Sequence, residues 1–182
     1  TAAHLAASSD GVLTLAGQVT ANTPATGAEA RVLASFAKPV VYSIADQAAQ
    51  VAASTGLHQA VNITATTAVS VAEATVIAAA GNSGSKTYDI QDSAAHLVAV
   101  SGHVLALAGQ VTANPPATRP DATLLAGFAK PVVYSITDAA AHLAASAGER
   151  RTVDKAETAT ATVAHAAIRQ LAARYRYLDT TR

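Results

Sequence analysis

The chain has 182 residues, half of them apolar, equal numbers of Lys/Arg and Asp/Glu, and no cysteine. This length and apolar content fit one packed domain and exclude a disordered tail. The neutral balance, with only 13% charged residues, argues against a nucleic-acid partner, and the missing cysteine excludes disulfides, thiolate metal sites and a thiol nucleophile.

The core must be built from small parts, because 48 alanines stand against two phenylalanines and no tryptophan. Cutting the chain every 46 residues gives units 1–46, 47–92, 93–138 and a divergent 139–182, read as a single repeat domain. The first and third units match at 32 of 46 positions without a gap. Each unit contains a phrase of the type tyrosine-x-apolar-x-aspartate: YSIAD at 42–46, YDIQD at 88–92, YSITD at 134–138 and YRYLD at 175–179.

Each unit reads as helix, strand, helix, strand. In the first, Leu13, Leu15 and Val19 alternate with Thr14, Gln18 and Thr20, predicting a strand with one apolar face. Lys38-Pro39 ends the following helix, and Tyr42 and Ile44 then share the core face of a strand with Ser43 and Ala45 opposite. In the second unit, QAAQVAAST after Asp46 predicts a short helix and QAVNITATT (59–67) a strand. Ser70 with Glu73 predicts a capping box opening the next helix, GNSGS (81–85) is a turn, and KTYDIQ (86–91) is the second strand. The third unit repeats the first, with Leu105, Leu107 and Val111 as its apolar strand face and Lys130-Pro131 as its stop. The fourth becomes basic after Gly148. Its helix over about 157–172, with Val163, Ala167 and Leu171 on one side, is read as an atypical last repeat covering the core.

Helix–strand units of about 23 residues predict an α/β fold: a parallel solenoid in the manner of leucine-rich repeats, with a compact closed or doubly wound α/β domain as the alternative. Small side chains ease the mismatch between helices about 10 Å wide and strands about 4.8 Å apart.

Asp46, Asp92 and Asp138 fall at strand-to-helix junctions and read as helix caps, as does Ser70. Calcium is the one metal such carboxylates could suggest, but one per unit falls short of its six to eight oxygens. Tyr42, Tyr88, Tyr134 and Tyr175 read as core rungs. His4, His96 and His142 recur at one repeat position, too far apart to share a metal. No nucleophile elbow, Walker loop, dinucleotide fingerprint or zinc-protease motif occurs, so no enzyme is expected. No apolar run approaches the ~20 residues of a membrane helix. The polar strand side, around Ser43, Thr64, Gln110 and Ser135, is the candidate binding face for a surface glycan or other ligand.

The stretch YSIADQAAQVAAS, with AVNITATTAVSVAEATVIAAAGNSGSKTYDIQDSAAHL, resembles repeats of large secreted bacterial surface proteins of the RTX-type or adhesin-like kind. The resemblance covers most of residues 1–148. Histidine or glutamine here replaces the asparagine that follows the alanine pair in such repeats. The resemblance implies an extracellular or cell-surface scaffold. The expected partners are copies of the chain itself or neighbouring repeats, joined end to end into a larger assembly.

Overall fold

A computed structural model describes residues 1–137. The fold is mixed α/β with small parallel sheets. In chain order it holds α1 (Ala2–Ala6), α2 (Asp10–Leu13), β1 (Val19–Thr20), α3 (Gly27–Ser35), β2 (Val40–Val41), β3 (Ile44–Asp46) and α4 (Ala48–Ala52). A 3-10 turn at Leu57–Gln59 leads to β4 (Ile63–Ala65), α5 (Val71–Ala79), β5 (Lys86–Thr87), β6 (Ile90–Asp92), α6 (Ala94–Ala99), α7 (Gly102–Leu107), β7 (Val111–Ala113) and α8 (Arg119–Ala126).

Every strand pair is parallel, and each extended segment pairs with the one that follows it in the chain. β1 pairs with β2, β3 with β4, β4 with β5, and β6 with β7. Parallel bridges from Ala25 to Ile44, Val69 to Ile90, Thr112 to Val133 and Ala117 to Ile136 carry the same order between and beyond these sheets. Side chains alternate as a half-buried strand requires. Val40, Tyr42 and Ile44 are buried while Val41 is exposed, and Ile63 and Val111 are buried beside half-buried Thr64 and Thr112.

The helices repeat one inward pattern. Their first helical residues are Gly27, Val71 and Arg119 in the long helices, and each buries an alanine three residues on and a larger side chain six residues on: Ala30 and Leu33, Ala74 and Ile77, Ala122 and Leu125. The short helices α4 and α6 bury Ala48 with Val51 and Ala94 with Leu97. This i, i+3 spacing places the pair on one helix face. The small member lets the helix lie close to the strands.

Two expectations need correction. Leu13 ends α2 and Leu15 is exposed, and Leu105 and Leu107 belong to α7, so only the ends of the two LAGQV segments are strand. A helical turn also buries apolar residues three apart, and Leu13 buries while Leu15 does not, a pattern no strand face gives. The long helices also stop before Lys-Pro: α3 ends at Ser35 and α8 at Ala126, capped by Phe36 and Gly127. The residue before proline disfavours helical backbone, but these helices have already ended.

Close packing makes one glycine indispensable. A Cβ at Gly27, the first residue of α3, would overlap the Gln50 carbonyl of α4. Gly27→Val is expected to destabilise the fold by about 1–3 kcal/mol, read as a lowered midpoint in urea. An unchanged midpoint would show that α4 does not sit against α3.

Candidate functional site

The recurring side chains converge on the junctions between successive extended segments. The first N–H of a helix has no partner within the helix, and here it is met from the following segment. Ala2 N–H of α1 donates to Thr23 Oγ1 at 3.1 Å, and Gly27 N–H of α3 donates to Asp46 Oδ2 at 2.9 Å. Ala48 N–H of α4 donates to Thr67 Oγ1 at 3.0 Å, and Val71 N–H of α5 donates to Asp92 Oδ2 at 2.8 Å. Threonine and aspartate alternate at this position.

The aspartates therefore cap helices, but not the ones expected. Asp46 and Asp92 close strands β3 and β6, and the N-caps of the following helices are Gln47 and Ser93. A carboxylate one residue before the N-cap accepts from the N-cap's own N–H, as Asp46 does from Gln47 and Asp92 from Ser93. Its other oxygen is left free to reach the preceding helix. Ser70 caps α5 directly, in a reciprocal box with Glu73, and Thr26 with Glu29 forms the same box on α3. Asp138, Tyr175 and His142 lie outside the described residues.

A second contact joins segments one residue after each tyrosine. Ser43 Oγ accepts from Asn62 N–H at 3.3 Å, and Asp89 Oδ1 accepts from Gln110 N–H at 2.7 Å. Asn62 in turn accepts from Ser85 N–H and Oγ. The tyrosines add a third. Tyr42 Oη donates to Gly56 O at 2.8 Å and Tyr88 Oη to Val104 O at 2.9 Å, both rings being buried. Burial pushes both hydroxyls up to about 12. Tyr134 is buried as well.

Asp92 carries the most elaborate junction. His96 Nδ1 lies 2.7 Å from Asp92 Oδ1. Burial pushes the Asp92 carboxyl up, but the Val71 N–H, the His96 ring and the Ser93 N–H outweigh it and hold the group below its ordinary value. His4, the repeat partner of His96, is exposed, and among the described residues no three His, Asp or Glu side chains gather as a metal site would need.

The polar side chains of the candidate binding face lie on successive extended segments. Thr64 pairs in register with Ala45 and Thr87, while Gln110 lies just before β7, whose Thr112 pairs with Gln91. Ser43 is half-buried between β2 and β3, and Ser135 is half-buried between the bridged residues Val133 and Ile136. A cleft of about 240 Å³ between α7 and the turn after α8 is lined mainly by Val100, Leu105 and Phe128, with Lys130 as its charged group. No helix among the described residues is long and apolar enough to cross a membrane.

Thr23, Thr67 and Asn62 were not picked out from the sequence. Thr67 falls roughly midway between Asp46 and Asp92, and Thr23 lies half a unit before Asp46, so a half-unit period near 23 residues would have found them. No known family, no curated protein and no solved structure matches this chain.

Proposed function

We propose that the chain is a non-enzymatic structural module: a parallel α/β solenoid whose ends stack on further copies in an extracellular or cell-surface assembly. The observation that carries this reading is the repeated capping of a helix by the next segment, seen for α1, α3, α4 and α5 at Thr23, Asp46, Thr67 and Asp92. The side chains that recur most are spent on joining one segment to the next rather than on converging around a substrate. A unit built this way is completed by its successor, as stacked repeats are. The parallel ladder runs in chain order and, among the described residues, β1 is paired on one side only, so its other edge can template a further strand. The surface location rests on the resemblance to secreted repeats.

Sedimentation velocity over a hundredfold concentration range tests the reading. Assembly that grows with concentration, with rods in negative-stain images, is the expected result. A single monomeric species throughout would sink it.

A further inference from the structure

Residues 9–19, SDGVLTLAGQV, and 101–111, SGHVLALAGQV, are near-copies in different surroundings. The inner copy has a preceding segment against it; among the described residues the outer copy has none. Val104 is 5% exposed and Leu107 packs on the core, whereas their counterparts Val12 and Leu15 are 65% and 90% exposed.

The backbone repeats the contrast. Gly109 N–H donates to Tyr88 O at 2.8 Å, Gln110 N–H to Asp89 Oδ1 at 2.7 Å, and Asn114 N–H to Asp92 O at 2.9 Å. Their counterparts Gly17, Gln18 and Asn22 are exposed, and these N–H groups have no partner among the described residues. A Cβ at Gly109 would come within 2.6 Å of Asp89 Oδ1, which explains the glycine; a Cβ at Gly17 meets nothing within 4 Å, and no glycine among the described residues has positive φ. Gly17 thus keeps a notch that its own surroundings do not need. The inner copy shows what fills it: a parallel Tyr-x-apolar-x-Asp strand, with the tyrosine Oη on the Val104 carbonyl.

We infer that Val12, Leu15, Gly17, Gln18 and Asn22 form the docking face for a second copy of this chain, entered by its phrase Tyr175-Arg176-Tyr177-Leu178-Asp179. The inference rests on the end-to-end reading above and assigns its two surfaces. In sequence, Tyr175, Tyr177 and Asp179 match Tyr88, Ile90 and Asp92 of the phrase that meets the inner copy, with Arg176 in place of Asp89.

Gly17→Val tests the face without touching the fold, since open space surrounds that position. The expected result is an unchanged urea midpoint with association weakened at least tenfold in sedimentation. Gly17→Val chains that assemble like the parent would overturn the inference while leaving end-to-end stacking standing. The natural absence of cysteine allows a direct check: mixing Gln18→Cys with Arg176→Cys protein under mild oxidation should give mainly the mixed disulfide dimer. Dominant Gln18→Cys homodimers would overturn the assignment of the second surface. A peptide of residues 173–181 separates the two ideas. Saturable binding to the parent chain and not to Gly17→Val supports the docking face even where the parent stays monomeric, and equal or absent binding to both overturns it.

Discussion

Replacing Tyr88 by alanine is expected to lower the unfolding free energy by about 3–5 kcal/mol, the range for removing a buried aromatic. The ring is 1% exposed, and it lies between the segment carrying β6 and helix α7. Tyr88→Phe keeps the ring but leaves the Val104 carbonyl without its donor, and about 1–2 kcal/mol is expected from that change. Urea denaturation measures both, with Leu124→Ala as a control near zero because Leu124 is exposed. A phenylalanine variant as unstable as the alanine variant would show that the hydroxyl, not the ring, holds the junction. The same residue sets an alkaline limit. Its folded pKa is raised from 10.0 to about 12 by burial, so its contribution is whole below pH 10 and is lost as pH rises from there through about 12. Tyr88→Phe should flatten that alkaline limb, and Tyr42 should retain its own share of it.

How far these contacts could be read from sequence depends on their range. The tyrosine and isoleucine of the first three phrases alternate with small or polar residues, and a period of two places them inward without any knowledge of neighbours. Tyr42, Ile44, Tyr88 and Ile90 are buried accordingly. Ser70 and Glu73 lie three residues apart, so their box is a local signal. The partner of Asp46 is 19 residues away and that of Asp92 is 21 away. Local chemistry names an aspartate at a helix start as a cap, but only the spacing of adjacent segments decides which helix it reaches. Leu13 and Leu105 failed for a related reason: a short run of leucines two apart fits a strand edge as well as one helical turn, and packing alone separates them.

Removing both carboxylate junctions should unfold the chain more readily than any single surface change. Asp46→Ala and Asp92→Ala each leave two N–H groups without their acceptor, one part-buried for Asp46 and both part-buried for Asp92. Hydrogen bonds to a charged acceptor contribute about 1.5–3 kcal/mol. The two sites share no partner, so the double variant should fall near the sum, about 3–6 kcal/mol. Asparagine is a poor substitute, because its amide offers a donor where the second N–H also donates. A double variant no weaker than either single one would show that one junction already depends on the other. The acid limb gives an independent reading. The Asp92 pKa is lowered in the fold, so its stabilisation is present above the unfolded value of 3.8 and fades as pH falls through the lower folded one. Asp92→Ala should therefore remove stability at neutral pH and flatten the loss below pH 3.8. His96→Gln should remove only part of that limb, since the Val71 and Ser93 N–H groups still hold the carboxylate.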